Sequence, residues 1–372
     1  MRFAVDASFH APGRGGGIET VLTGLLSAWT RERGGHELVV FVNREGAGTL
    51  PSGPGIEERI AGFPPRSRMA RTLWQQAVLP RAARRAGAGA LFCPANTGPA
   101  LGDPPLVLLV HDCSPIAFPG LYAPLERATL AFLMTAASRR ASRVLTLSES
   151  VAREAGVLLP VSPAKIQVTG PGVGPAYSRA GRLSAGPPAR LPGLPADFLL
   201  YAGTARKNKN LDRLLDAVAI LEISHGLAAP LVLAGRAHDR ADRLLARARG
   251  LGIAGRVHFT GYVAPGVLAG LYRTARAVVC PSMYEGFGLP VLEAMACGAA
   301  VAASQNLSEA AGGAAELFDP SGPGDMARVL ARVWTDKALR QDLSERGLAR
   351  TRGLSWDRPA ARVLAALVEA AE

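Results

Sequence analysis

Short runs of consecutive apolar residues alternate with longer stretches in which apolar residues recur at helical spacing. In the first half the runs fall at 2–6, 38–42, 90–93, 106–110, 144–147 and 165–168, with helix-forming stretches at 18–33, 69–85, 122–142 and 148–158 between them. Strands apolar on consecutive positions are strands covered on both faces, so this alternation predicts a parallel sheet with helices on either side. A second series follows, with strands at 198–202, 231–234, 257–260, 277–280, 300–303 and 316–318 and helices at 211–224, 239–251, 266–275 and 289–297. Glycine and proline crowd residues 170–195, including GPGVGP and AGPPARLPGLP, as in an interdomain linker. The expected architecture is α/β: two doubly wound Rossmann-like domains, 1–180 and 196–353, joined by a linker at 181–195 and facing each other across a cleft. After a break at Gly353, the last segment, 354–372, holds a helical run at 356–371.

Composition narrows the class. The 372 residues exceed what one core usually holds, and 48% hydrophobic content suits packed domains. No apolar run approaches the roughly 20 residues that cross a bilayer; residues 128–138 read as a buried helix. The N-terminus enters a strand with no basic-then-apolar leader, so a cytoplasmic chain is expected. Cys93, Cys113, Cys280 and Cys297 show no metal-ligand spacing and read as small buried hydrophobes, with neither zinc nor disulfides. The formal charge of +12 admits nucleic acid, anionic membranes or phosphorylated substrates. Only four of the 42 basic residues are lysine, and arginine is spread through an Ala/Gly/Pro-rich chain, a bias of genome composition more than a nucleic-acid patch. One cluster stands apart. Between Arg59 and Arg85 lie seven arginines, no acidic residue, and Trp74. Met69, Leu73, Trp74, Ala77 and Val78 at helical spacing read either as an amphipathic helix with a basic flank, suited to peripheral membrane contact, or as a helix packing Leu73 and Trp74 inward.

The stretch at 277–297, AVVCPSMYEGFGLPVLEAMAC, carries the most chemistry. A buried strand is followed by a loop with Glu285 and then a helix opening at Leu289–Pro290, proline being well placed in a first turn. Gly286 and Gly288 let the backbone turn sharply or approach a ligand, and the helix start offers N–H groups to an anion. Glu285 before the helix and Glu293 one turn inside it would both face the carboxyl end of the strand, where open parallel sheets bind ligands. A phosphate cradle with two hydroxyl acceptors suits a nucleotide-sugar. The plainer alternative is a tight turn with two solvated glutamates.

Three further segments sit at strand ends. Gly203-Thr204-Ala205-Arg206-Lys207-Asn208-Lys209-Asn210 places three cations after a glycine, which suits a diphosphate leaving group, although such clusters are commonly solvated turns. Gly13-Arg14-Gly15-Gly16-Gly17-Ile18-Glu19-Thr20 separates the first strand from the first helix. A dinucleotide fingerprint there would need glycine at Ile18, and the next strand ends in Asn43 instead of an acid, so NAD is discounted. His111-Asp112 follows an apolar strand; a lone histidine is commonly structural, but its place at the sheet edge favours a site.

The segment EGFGLPVLEAMACG resembles the E-x7-E signature of glycosyltransferase family 4, retaining enzymes of the GT-B fold, and the resemblance extends along nearly the whole chain. It implies an N-terminal acceptor-side domain, a C-terminal nucleotide-sugar domain, and a final helix returning to the first domain. Glu293 would then hold ribose hydroxyls and Glu285 a sugar hydroxyl. Phe287, Gly288 and Leu289 amides would meet the sugar and phosphate, and Lys209 with Arg206 would stabilise the departing diphosphate. Gly16 and Gly17 would lie in a loop against the donor, as would His111. The element VHFTGYV would bring the backbone near Val263 to the nucleobase. Asn96 would face the cleft, Glu309 fits a family glutamate, and Ser148 fits a family pattern but equally an N-cap. Lys209-Asn210 matches the family wording, whereas Asn208 stands where members carry arginine and Thr204 where some carry another.

These readings predict a metal-independent, cofactor-free hexosyltransferase that moves a sugar from a nucleoside diphosphate to an acceptor hydroxyl on a lipid carrier, polysaccharide or natural product. The alternatives are a nucleotide-sugar 2-epimerase of the same fold and a non-catalytic sugar-nucleotide-binding subunit.

Overall fold

The computed structural model describes residues 1–13, 16–64, 67–177, 191–236 and 240–372. Arg14, Gly15, Arg66, Asp239 and most of the expected linker lie outside the described residues. The chain divides into two units, Met1–Gly172 with Ser355–Glu372, and Val173–Leu354.

The first unit is built on seven parallel strands: β1 (Arg2–Ala7), β2 (Glu37–Val42), β3 (Ile56–Ile60), β4 (Ala90–Cys93), β5 (Leu106–Val110), β6 (Arg143–Thr146) and β7 (Ile166–Val168). Their order is β3-β2-β1-β4-β5-β6-β7, so the chain winds outward from β1 in one direction and then from β4 in the other. In the second unit six parallel strands repeat this plan: β8 (Leu199–Ala202), β9 (Leu231–Ala234), β10 (Val257–Gly261), β11 (Ala277–Cys280), β12 (Val301–Ser304) and β13 (Glu316–Phe318), in the order β10-β9-β8-β11-β12-β13. Both sheets are doubly wound α/β, as the sequence pattern predicts.

The consecutive apolar runs have a direct cause. In β8, Leu199 and Tyr201 enter one core while Leu200 and Ala202 enter another across the sheet, and in β11 Ala277 and Val279 oppose Val278 and Cys280 in the same way. Period-two side chains need apolar residues at both phases only where both faces are covered. The four cysteines are buried, and burial raises the thiol pKa of Cys93, Cys113 and Cys280.

The helix Asp357–Ala371 packs in the first unit, where Ala360 O accepts a 3.1 Å hydrogen bond from Trp29 Nε1. Trp356, just before it, fills a slot between two glycines: a Cβ on either Gly24 or Gly172 would lie 2.4 Å from the indole.

Three elements depart from the sequence reading. β3 was hidden because IEERI is mostly polar; it is an edge strand, half-buried, with Glu57 paired to Arg59 and Arg2. The single helix expected at 69–85 is two, Arg68–Ala77 and Leu79–Arg85, because Pro80 cannot donate an amide hydrogen and its ring disrupts the preceding turn. Leu73 does not pack inward: it is 61% exposed while Trp74 is buried beside Phe41 and Phe63. The helices Pro323–Thr335 and Lys337–Arg350 complete the second unit.

Candidate functional site

Glycines shape the carboxyl edge of the second sheet. Gly203 follows β8 with φ 147°, and a Cβ there would stand 2.8 Å from the Tyr201 hydroxyl, which donates to Thr204 O at 2.7 Å. Gly235 follows β9 so close to Gly203 that a Cβ would meet the Gly203 carbonyl oxygen at 2.1 Å. Only glycine lets these backbones cross.

From β8 the chain passes exposed Arg206 and Lys207 into a short 3-10 turn, Lys207–Lys209, and ends it at Asn210, whose φ of 60° is left-handed. Asn210 is structural: its buried side-chain amide donates to Pro281 O at 3.0 Å and Pro320 O at 2.7 Å. Asn208, unremarkable in sequence except as a departure from family wording, ties this turn to the loop after β11. Its Nδ2 donates to Tyr284 O at 3.0 Å and its carbonyl accepts from the Met283 amide at 2.8 Å. Asn306 holds the same loop from the other side, donating to Met283 O at 2.7 Å.

The loop so held presents Glu285. Its Oε1 accepts from Ser282 Oγ at 2.7 Å and forms an ion pair with Lys209 Nζ. Beyond Gly286 and the half-buried Phe287, Gly288 caps the helix Leu289–Ala296 with φ 98°, and among the described residues no side chain caps the first turn. A Cβ on Gly288 would meet Leu307 Cδ2 at 2.5 Å, so glycine is required there by both torsion and space. The uncapped start, with Leu289 in its first turn, keeps the positive end of the helix open to an anion. Lys209, Ser282, Glu285, Gly288, Pro290 and Leu307 line a pocket over this turn with Tyr201 behind them.

Glu293 does not line that pocket. It lies one turn into the same helix, 7% exposed, accepting a 3.3 Å hydrogen bond from Tyr272 Oη. Burial raises its pKa to about 7, and the Tyr272 bond offsets part of that rise. Tyr272 itself stacks edge-on to Tyr177 at 5.9 Å. Val263 follows β10 as a half-buried residue packed on the core, after Tyr262, over whose ring Arg236 lies at 5.8 Å.

The first unit carries the remaining candidates. His111 follows β5 and is 9% exposed. Its Nε2 lies 2.6 Å from Pro94 O, so the proton on Nε2 points to that carbonyl, and its amide donates to Asn96 Oδ1 at 2.6 Å. Burial lowers the His111 pKa, against opposing effects of the Pro94 carbonyl and Asp112. Asn96 adopts φ 63° to reach it. Gly16, with φ 57°, caps the helix Gly17–Arg31, and Glu19 in that helix accepts from the Gly13 amide at 2.9 Å, folding the described ends of the glycine loop together. Ser148 caps its helix through Val151 N at 3.1 Å. Glu309 lies on the short helix Ser308–Ala311.

The structure thus brings together Lys209, Glu285 and Gly288. The sequence reading missed Ser282, Asn208, Asn306 and Tyr272. Ser282, three residues before Glu285, and Asn208, the odd residue of its cluster, carried a usable signal; Tyr272, one aromatic in an apolar helix, carried none.

Known families match both units. A model described as "Glycosyl transferases group 1" matches residues 193–350, and one described as "Glycosyltransferase Family 4" matches residues 15–177. A serotype-specific mannosyltransferase, WbdA of Escherichia coli, is 34% identical over 167 residues, covering 44% of this chain and 20% of that protein. A D-inositol 3-phosphate glycosyltransferase of Actinosynnema mirum is 34% identical over 243 residues, covering 62% of this chain and 58% of the relative. The matches therefore span a fifth to somewhat over half of these relatives. Among solved structures, sucrose-phosphate synthase from Thermosynechococcus elongatus aligns with TM-score 0.76 at 19% identity over 98% of this chain and 97% of that one. Anabaena Alr3699/HepE in complex with UDP and glucose aligns with TM-score 0.71 at 18% identity over 99% and 100%. At these identities the likeness is one of fold.

Proposed function

We propose that this chain, which belongs to glycosyltransferase family 4, is a retaining, metal-independent hexosyltransferase using a nucleoside diphosphate sugar. The observation that carries the reading is the Lys209–Glu285 pair at a pocket backed by the uncapped helix start at Gly288. Without donor, each ion keeps the other paired. A bound diphosphate competes for Lys209, which then stabilises the charge that grows on the leaving group as the glycosidic bond breaks. Glu285, released from the lysine but still bonded to Ser282, becomes free to accept a sugar hydroxyl. The helix N-terminus adds positive potential at the phosphates without any metal. Arg206, exposed on the same turn, extends that potential outward. Gly286, Phe287 and Leu289 frame the sugar and phosphate, Gly203 and Thr204 the floor beneath, and Glu293 with Val263 the nucleoside.

In the first unit, Gly16, Gly17 and His111 follow the family's donor-side pattern, and acceptor recognition is assigned to that unit. A mannosyltransferase relative supports a hexosyl group, and a neighbour of the same fold holding UDP and glucose supports the donor class. The acceptor is a hydroxyl, and the enzyme is assigned to the cytoplasm.

Thermal-shift titration with UDP-, GDP-, ADP-, TDP- and CDP-sugars tests this. A selective rise in melting temperature with one nucleotide, abolished in Lys209→Ala, is expected. No shift with any of the five would overturn the reading.

A further inference from the structure

The first unit carries large apolar side chains that are exposed among arginines. In the helix Arg68–Ala77, Trp74 and Gln75 turn inward while Met69 is 74% and Leu73 61% exposed. In the helix Pro124–Arg140, Leu133, Met134 and Ala137 are buried while Leu125 is 81% and Phe132 69% exposed. Leu101, in the loop between β4 and β5, is 81% exposed.

Polar bonds join these segments into one surface. Arg68 Nη1 donates to Glu126 Oε1 at 2.6 Å, linking the two helices. Gln76 donates to Gly98 O at 2.8 Å and accepts from Ala100 N at 2.9 Å, while Arg140 donates to Pro99 O at 3.0 Å and Pro104 O at 2.6 Å, so the Leu101 loop is fastened to both. The charge of the region is one-sided: residues 59–140 hold ten arginines and three acidic residues. Arg68, Arg81, Arg84, Arg85 and Arg139 are exposed among or beside the apolar positions.

We propose that this face docks on an anionic membrane surface. Met69, Leu73, Leu101, Leu125 and Phe132 would enter the headgroup boundary and the arginines would meet lipid phosphates. Single apolar side chains spread over three segments and interleaved with arginine suit a deformable interface with negative charge better than a packed protein groove. The site extends the basic stretch between Arg59 and Arg85 to a second helix and a loop that are distant in sequence. It does not depend on which sugar the chain transfers.

Co-sedimentation of the full chain with phosphatidylcholine vesicles, with and without phosphatidylglycerol, tests it. Selective pelleting with the anionic vesicles is expected, weakening as salt rises. The exposed substitutions Leu125→Ser with Phe132→Ser, and separately Arg81→Ser with Arg84→Ser and Arg85→Ser, should each lower partitioning by about ten-fold while leaving the melting temperature unchanged. Equal pelleting with neutral vesicles, no pelleting with either, or wild-type dimers that Phe132→Ser dissolves would each overturn the proposal.

Discussion

Lys209 and Glu285 stand 76 positions apart in the chain and meet as an ion pair, with side chains only 17% and 16% exposed. Two glycine-rich turns, after β8 and after β11, bring them together, and the Asn208 and Asn306 side chains fix the loop that carries Glu285. A pair this secluded is held by its surroundings more than by its own attraction, since both ions have given up water.

Removing one member therefore leaves an uncompensated charge. Lys209→Met and Glu285→Gln should each lower the melting temperature, and the double substitution should recover part of that loss. Activity should separate from stability: Lys209→Met is expected to lower kcat by about 10²- to 10³-fold, the scale of one lost electrostatic contact to a developing anion, and the double variant should not recover it. Melting curves and single-turnover rates on the three variants check both statements.

The fold was legible in the chain because both sheets are covered on two faces, which writes strands such as AVVC and LVLLV as unbroken apolar runs. β3 escaped because an edge strand with one half-wet face has no such constraint, and IEERI keeps its place through its parallel ladder with β2. In the site, Gly288 was legible because its torsion and its contact with Leu307 admit no other residue. The Lys209–Glu285 contact was not: sequence marks each residue as chemically apt, but their meeting depends on the β8–β11 adjacency, which no local pattern encodes. Glu293 was legible as a second carboxylate on the same helix, but its near-complete burial and its bond from Tyr272 were not, because they depend on how that helix packs against its neighbours.

Trp356 explains a glycine that helix propensity disfavours. Gly24 sits inside the helix Gly17–Arg31, where glycine costs about 1 kcal/mol relative to alanine, and its bare face receives the indole. Gly24→Val should destabilise the first unit through overlap with Trp356, and Trp356→Ala should cost about 3–5 kcal/mol through the cavity left behind. Hydrogen exchange at β1 and β4 amides, read against β8 and β11 in the same sample, would show the loss confined to the first unit.

Glu293 makes the protein's behaviour dependent on pH near neutrality. Its folded pKa of about 7 lies above the ordinary carboxylate value because burial disfavours the charged form. The folded state thus holds a proton that the unfolded state has released between roughly pH 4.5 and 7, so this residue's contribution favours folding at the acidic end and declines as pH rises through 7. The total change is about 3 kcal/mol, and Glu293→Gln should remove that slope from denaturation midpoints measured from pH 5 to 8. Donor binding should run the other way. Ribose hydroxyls donate better to the ionised carboxylate, so affinity in the wild type should rise through pH 7 while that of Glu293→Gln stays flat. Calorimetric titration of the nucleotide found in the thermal-shift panel decides it; a wild-type affinity independent of pH would mean that Glu293 supports the core beside Tyr272 and does not hold the nucleoside.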